Sequence, residues 1–138
     1  MEQISIRTGI DNMDITEVHR FLSEESYWAK GISYELVSSS LKNSFCIGAF
    51  IKDQQVGFGR LITDYATFGW LADVYVLPEY RGKGISKKML SHLFEQPWIK
   101  GLTRIMLNTK DAHGLYRQFE FTDLANPSFL LEVTRRYQ

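Results

Sequence analysis

Residues 74–95 read VYVLPEYRGKGISKKMLSHLFE, and they predict a strand, a glycine-containing turn and a helix in direct succession. Apolar residues after the turn recur at helical spacing, which is typical of one buried helix face. Backbone amides in the first turn of a helix have no internal partner, and the helix dipole adds about half a positive charge there. Gly82 and Gly84 permit positive φ and close approach of a ligand to the backbone. We therefore interpret the turn as a binding site for a pyrophosphate.

Four basic residues lie in or beside this turn: Arg81, Lys83, Lys87 and Lys88. Their spacing with the glycines differs from that of two common phosphate loops. The P-loop pattern G-x-x-x-x-G-K-[ST] is absent from this stretch. The dinucleotide-binding pattern G-x-G-x-x-G fails because Lys87 stands where the third glycine belongs. Taken alone, the segment also fits an ordinary strand, turn and helix with a basic surface.

The composition predicts one globular domain, residues 1–138. Apolar residues make up 44% of the chain, which is enough for a core, and sixteen Lys and Arg balance sixteen Asp and Glu. A net charge of zero argues against nucleic acid as a partner. The single cysteine, Cys46, excludes a disulfide framework and a cysteine metal site. Its apolar neighbours favour a buried residue over a nucleophile.

Two further classes of protein are disfavoured by the sequence. We recognise no signal peptide and no apolar run of membrane length, so we expect a cytoplasmic protein with no membrane partner. The three histidines show no metal-binding spacing such as H-x-x-x-H, and we predict that the protein binds no metal.

The pattern of elements predicts a mixed sheet flanked by helices, an α/β class with α+β character. The predicted strands are 4–6, 45–51, 56–63, 67–77, 104–107 and 129–133. The predicted helices are 15–22, 33–41, 85–94 and 111–119. Gly57 and Gly59 permit a bulge in the third strand. Because a helix separates them, we expect strands 67–77 and 104–107 to run parallel.

Two motifs carry a resemblance to a known family. The turn resembles an acetyl-CoA signature, [QR]-x-x-G-x-[GA], with Arg81 and Gly84 at matching positions and Ser86 where Gly or Ala is usual. Residues 112–121, AHGLYRQFEF, look like the segment A-x-x-L-Y-x-x-x-G-F, with Glu120 in place of the glycine. With the order of elements, these motifs resemble the GNAT superfamily of N-acetyltransferases over nearly the whole chain. The resemblance implies the GNAT acyl-CoA N-acyltransferase fold, with a mostly antiparallel sheet.

The resemblance also implies acetyl-CoA as the cofactor. In this family the strand before the turn splays from its parallel neighbour, and its free backbone groups hold the pantetheine arm. Here those residues are Val74, Tyr75 and Val76. The residues expected to hold the pyrophosphate are Arg81, Gly82, Lys83, Gly84, Ile85 and Ser86. Asn108, after the next strand, matches a polar position that contacts the pantetheine, and a helix cap or turn residue is an equal alternative.

Acyl transfer to an amine requires a proton donor for the leaving thiol and an amine in its free-base form. Tyr116 matches the tyrosine of the second motif and is the candidate acid, with a core aromatic as the alternative. Asp73 and Asp64 are the candidates for the base. Either carboxylate could instead bind the substrate ammonium, with water carrying the proton away. Asp64 also fits a plain turn residue, and Asp73 also fits an ion pair with Arg60.

Tyr27 and Trp28 lie between the first two helices, in the region that lines the acceptor cleft in this family. We interpret them, with Arg60, as substrate-binding residues, while a place in the core is the alternative for both aromatics. The resemblance implies an N-acetyltransferase that acts on a primary amine of a small molecule or peptide through a ternary complex. A non-catalytic acyl-CoA-binding or regulatory module is the competing interpretation. A homodimer through the C-terminal strand is also considered.

Overall fold

A computed structural model describes residues 3–135 of the chain. The strands are β1 Ile4–Thr8, β2 Phe45–Ile51, β3 Gln54–Thr63, β4 Phe68–Val76 and β5 Arg104–Leu107. The helices are α1 Ile15–Arg20, α2 Tyr34–Lys42, α3 Ile85–Phe94 and α4 His113–Arg117. The strands form one sheet in the order β1-β2-β3-β4-β5, antiparallel except that β4 and β5 are parallel. The predicted mixed sheet flanked by helices is confirmed.

The first two helices begin where their capping residues place them. The Asp14 carboxylate accepts a hydrogen bond from the Glu17 amide at 3.2 Å, and the Ser33 hydroxyl accepts one from the Leu36 amide at 3.2 Å. Such caps satisfy amides that the helix itself leaves without partners. Beyond α1 the chain continues as a π-helical turn, Phe21–Glu25. No helix within residues 3–135 is both long enough and apolar enough to cross a membrane.

A bulge bends β4 halfway along its length. Phe58 of β3 pairs with Tyr75, but Arg60 pairs with Ala72, so the single residue between them on β3 faces two residues on β4. Asp73 takes the extra place with a φ of 55°, a left-handed conformation that is strained for a residue other than glycine. The extra residue of this bulge lies on β4, opposite Gly59, and not on β3. The bulge that the glycines of β3 permit lies beside Gly57, where the register between β2 and β3 shifts.

The predicted last strand, 129–133, is wrong. Phe129 ends a short 3-10 turn, Pro127–Phe129, and residues 130–135 form no strand. The apolar residues of 129–133 favour a strand, but a strand also needs a neighbour with which to exchange hydrogen bonds. Within the described chain this segment has no such neighbour, and Leu131 is 97% exposed.

Candidate functional site

The turn before α3 has the backbone shape of an anion site. Gly82 and Gly84 both have a φ of 78°, and a Cβ built on either would meet no atom within 4 Å. These glycines are therefore required by the backbone conformation and not by packing, and the space above them is open. The first hydrogen bond of the helix runs from the Lys88 amide to the Gly84 carbonyl at 3.0 Å. The amides of residues 85–87 consequently lack intrahelical partners.

The basic side chains around the turn play different parts. The Arg81 Nε donates to the Val76 carbonyl at 2.9 Å, which ties the turn to the end of β4. The Lys83 Nζ lies 5.7 Å from the centre of the Tyr80 ring. Lys87 and Lys88 are exposed on the first turn of α3. A helix N-terminus with exposed cations attracts a negative group.

The two parallel strands separate just before the turn. Pairing between β4 and β5 runs from Phe68 opposite Arg104 to Leu71 opposite Leu107 and then stops. Residues 72–76 extend beyond that point, so their β5-facing edge has no strand partner within the described chain. Unpaired amides and carbonyls on such an edge are available to a ligand. Val74, Tyr75 and Val76, whose backbone is predicted to hold the pantetheine arm, lie on this edge. Asn108 is exposed and follows the end of β5, across the gap between the two strands.

The Tyr75 side chain lies in the core and not in the gap. Its ring stacks on Phe21 with centroids 3.8 Å apart, and its buried hydroxyl has no hydrogen-bond partner among the described residues. Burial raises the pKa of this phenol well above its ordinary range. A ligand in the gap would therefore meet the backbone of Tyr75 and not its side chain.

The carboxylate of Asp73 is held by two donors. The Arg60 Nε donates to Oδ2 at 2.7 Å, and the Trp28 Nε1 donates to Oδ1 at 2.7 Å. The Asp73 and Arg60 side chains are only 12% and 15% exposed. A second Arg60 nitrogen donates to the Ser44 hydroxyl at 3.0 Å. The structure thus brings together Asp73, Arg60 and Trp28, and it realises the ion pair that the sequence left as an alternative.

Asp64 lies apart from this group, in the turn between β3 and β4. Its carboxylate accepts hydrogen bonds from the Thr67 hydroxyl at 2.6 Å and from the Thr67 and Ala66 amides at 2.7 and 2.9 Å. The Thr67 hydroxyl contributes most to holding the pKa of Asp64 well below its usual range, followed by the backbone amides. β4 begins at Phe68, and Asp73 lies about 16 Å farther along the strand. Asp64, in the turn before β4, is therefore well separated from Asp73. These contacts fit the turn alternative for Asp64.

Tyr116 lies on α4 and is 8% exposed. Burial, with smaller contributions from Asp111 and Tyr27, raises the pKa of Tyr116 to about 12. Tyr27 is exposed, with the Lys110 Nζ 5.2 Å from its ring centre and the Trp28 ring 5.0 Å away. The loop between α1 and α2 therefore lies beside Lys110, in the segment that leads into α4.

Three residues beside these groups were not singled out from the sequence: Ser44, Lys110 and Asp111. Lys110 and Asp111 follow the carboxyl end of β5, and ligands commonly bind beyond the carboxyl ends of parallel strands. This position could therefore have identified both residues from the sequence. Ser44 could not be identified from the sequence in this way, because its contact with Arg60 joins residues from separate parts of the chain. Among residues 3–135, no three His, Cys, Asp or Glu side chains are grouped so that they could hold a metal ion.

Comparison with known proteins agrees with this geometry. The model of the acetyltransferase (GNAT) family matches residues 15–121. A solved GNAT-family protein of Xanthomonas campestris, xcc2953, is 42% identical, with a TM-score of 0.93 over 98% of this chain and 95% of its own. A structure from Clostridium acetobutylicum, a predicted acetyltransferase with acetyl-CoA, has the same fold at 19% identity and a TM-score of 0.70, covering 96% of each chain.

Two curated relatives match over part of their length. The "Putative acetyltransferase FG08082" of Gibberella zeae is 35% identical over 68% of this chain and 64% of its own. The thialysine N-epsilon-acetyltransferase of Bos taurus is 35% identical over 50% of this chain and 45% of its own. The chain thus covers about half to two thirds of the length of these relatives.

Proposed function

Because this chain belongs to the GNAT family of acetyltransferases, we propose that it transfers the acetyl group of acetyl-CoA to a primary amine. The acceptor is a small molecule or a peptide, and the amine attacks directly while both substrates are bound. One observation carries the proposal: the unpaired edge of β4 leads, through one short 3-10 turn at Pro78–Tyr80, into the open turn of Gly82 and Gly84. A free strand edge followed by an anion-binding turn suits acetyl-CoA, whose long thioester arm is attached to a pyrophosphate.

The fit to acetyl-CoA rests on backbone groups that the helix and the sheet leave unpaired, although the Val76 carbonyl already accepts a hydrogen bond from Arg81. The amides of residues 85–87 and the positive end of α3 would hold the pyrophosphate, with Lys87 and Lys88 adding charge. The free edge of 72–76 would bind the pantetheine arm by backbone hydrogen bonds, with Asn108 on the other side of the gap. Acetyl-CoA supplies the activated acetyl thioester.

Tyr116 would act on the leaving sulfur by donating a hydrogen bond. With its pKa raised to about 12, the phenol stays protonated at neutral pH. Complete proton transfer to a thiolate of pKa about 8.5 would be uphill by roughly 5 kcal/mol. A hydrogen bond from the phenol avoids that cost and still stabilises the developing negative charge.

Asp73 would position the acceptor loop and not take the proton. Each of its oxygens already accepts a hydrogen bond, one from Arg60 and one from Trp28, and these bonds fix the carboxylate between the sheet and the loop. Asp64 is engaged by its own turn. In this proposal the ammonium loses one proton to water before the free amine attacks, and the nitrogen loses a second proton to water as the C–S bond breaks and the amide forms. Tyr27 and Trp28 form the wall beside the amine.

The engagement of Asp73 also favours a second function, binding of acyl-CoA without turnover. The two functions are separated by measuring thiol release from acetyl-CoA with a panel of amines. The panel should contain lysine, thialysine, polyamines, aminoglycosides and a peptide with a free N-terminus. Thialysine is included because a matching relative carries that substrate in its name. Amine-dependent thiol release supports acetyl transfer, and tight acetyl-CoA binding without release by any amine supports the binding module.

A further inference from the structure

A lysine lies against the wall that Tyr27 and Trp28 form beside the candidate acceptor site. The Lys110 Nζ is 5.2 Å from the centre of the Tyr27 ring, and Tyr27 is 60% exposed. That ring stands edge-on to the Trp28 ring, with centroids 5.0 Å apart and planes at 83°. Asp73 in turn holds the Trp28 indole nitrogen at 2.7 Å. Lys110 therefore lies against a surface that the rest of the fold keeps in place.

The charge of Lys110 is not compensated by the protein. A lysine ammonium has three donors and no acceptor, and within residues 3–135 this one forms no ion pair. Lys30, in the loop that carries the wall, differs because its Nζ donates to the Glu24 carbonyl at 3.0 Å. An aromatic face contacts an ammonium from one side only. The other side of the Lys110 ammonium is therefore available to an anion.

The next residue along the chain supplies the opposite charge. Asp111 is exposed and likewise forms no ion pair in the described part of the chain. After burial, Asp111 contributes most to the raised pKa of Tyr116, so its carboxylate lies within electrostatic reach of that phenol. Consecutive Cα atoms are about 3.8 Å apart. One short segment thus presents a cation beside Tyr27 and an anion near Tyr116.

The other two charges at the wall cancel each other. The Asp73 carboxylate and the Arg60 guanidinium lie 2.7 Å apart, and their side chains are 12% and 15% exposed. A close pair of opposite charges exerts little net attraction on a third charge farther away. Lys110 and Asp111 therefore determine the charge that an acceptor meets at this wall.

We propose that the acceptor is an amino acid, with its carboxylate bound by Lys110 and its amine beside Asp111 and Tyr116. The inference rests on the proposed acetyl transfer and adds the class of acceptor. An amino acid carries one positive and one negative group, so only one orientation matches both side chains. That orientation brings the amine to Tyr116, the residue proposed to act on the thioester sulfur.

Amines with a second positive charge fit this surface poorly. A diamine or an aminoglycoside would bring an ammonium to Lys110, and like charges in close contact repel. A simple alkyl amine would leave Lys110 without an anion and gain nothing from it. Selectivity is a difference between affinities, and here the attraction of a carboxylate and the repulsion of a second ammonium both contribute to it.

Amino acids and their primary amides test the proposal, because the amide keeps the size of the acid and removes its negative charge. The pairs are built on alanine, phenylalanine, lysine and γ-aminobutyrate, and kcat/KM is measured by thiol release from acetyl-CoA at low salt. For the best pair, we expect the acid-to-amide ratio of kcat/KM to fall at least fivefold in Lys110→Gln and further in Lys110→Glu. Comparing the ratio between proteins cancels the difference in basicity between the two amines. Lys42→Gln, exposed at the end of α2, is the matched control and should keep the wild-type ratio.

A ratio that Lys110→Gln leaves unchanged would overturn the inference, while thiol release from the same amines would still support acetyl transfer. If no amine releases thiol, the proposed function fails, and binding alone tests the inference. Calorimetric titration of the same pairs into the protein loaded with coenzyme A should then show tighter binding of the acid than of the amide in the wild type and not in Lys110→Gln. Equal binding of acid and amide by the wild type, or binding of neither, would also overturn it.

Discussion

The indole nitrogen of Trp28 donates a hydrogen bond to Asp73 Oδ1 at 2.7 Å, joining residues 45 positions apart in the chain. Trp28 lies in the loop between α1 and α2, and Asp73 occupies the bulge of β4 with a φ of 55°. Asp73, the strained residue of the bulge, thus fixes the loop between α1 and α2, which would form one wall of the acceptor site. Arg60 holds the same carboxylate from β3, so three separate parts of the chain meet at one side chain.

Trp28→Phe should loosen the acceptor wall while leaving the cofactor turn unchanged. The variant keeps an aromatic ring but leaves Asp73 Oδ1 without its donor, and a hydrogen bond to a charged group contributes about 1.5–3 kcal/mol. We expect the KM for the amine to rise at least threefold and the Kd for acetyl-CoA to stay within twofold. Trp98→Phe is the control, since Trp98 packs on Phe45 and Tyr65. Equal effects of both substitutions would count against the loop assignment.

Asp73→Asn distinguishes positioning from proton abstraction. The variant leaves Arg60, whose side chain is 15% exposed, without its counter-charge, so the free energy of unfolding should fall by about 3 kcal/mol. If Asp73 only positions the loop, the KM for the amine rises and kcat falls less than tenfold. Loss of a general base usually costs about 10²–10⁴ in rate. A fall in kcat of more than a hundredfold at unchanged KM would show that Asp73 is the base.

Tyr116→Phe removes the proposed hydrogen bond to the leaving sulfur. We expect kcat to fall about 10- to 100-fold with little change in the Kd for acetyl-CoA, because the bond forms as negative charge develops. Tyr34→Phe, on the exposed face of α2, is the control. Unaltered turnover in Tyr116→Phe would remove this residue from the mechanism.

The same tyrosine has a consequence for stability at high pH. Its pKa rises from 10.0 to about 12 on folding, so the folded protein binds this proton more tightly than the unfolded chain does. Its contribution is fully present below pH 10 and is lost as the pH rises towards 12. The free energy of unfolding, measured in urea, should therefore fall more steeply across this range in wild type than in Tyr116→Phe. Parallel curves would show that the phenol is not buried as described.

Glu120→Gly should stabilise the fold. Glu120 follows α4 with a φ of 70°, a conformation that costs residues other than glycine about 1–2 kcal/mol. Glycine removes this strain but loses more chain entropy on folding, about 0.5–1 kcal/mol. We expect the free energy of unfolding to rise by roughly 0.5 kcal/mol, as measured by denaturant titration. A decrease would mean that the glutamate side chain makes a stabilising contact.

Local patterns in the sequence were sufficient for most of the fold. The bounds of β2 and β5 agree with the predicted ranges, and α3 begins at the predicted Ile85. These elements follow from hydrophobic periodicity and glycine placement within a few residues. The segment 129–133 shows the limit of that reasoning, because its apolar residues suit a strand but a strand partner is a property of the assembled sheet.

The candidate site was predictable only in part for the same reason. The glycine turn before α3 is one continuous segment, so its sequence was sufficient to predict its backbone conformation. Asp64 and Asp73 both lie at or near the end of a strand. The neighbouring sequence does not reveal that Asp64 caps a turn while Asp73 joins Trp28 to Arg60. The contacts of Asp73 depend on how distant segments pack, and local patterns carry no information about that packing.

Calorimetric titration of Gly84→Glu with acetyl-CoA tests the central claim most directly. Glutamate adds bulk and negative charge where the pyrophosphate would lie. Gly31→Glu is a matched control, because Gly31 has the same φ of 78° and an equally open surrounding. With both variants folded, the account predicts that the Kd for acetyl-CoA rises at least tenfold in Gly84→Glu and stays within twofold in Gly31→Glu. An unchanged Kd in Gly84→Glu would contradict it.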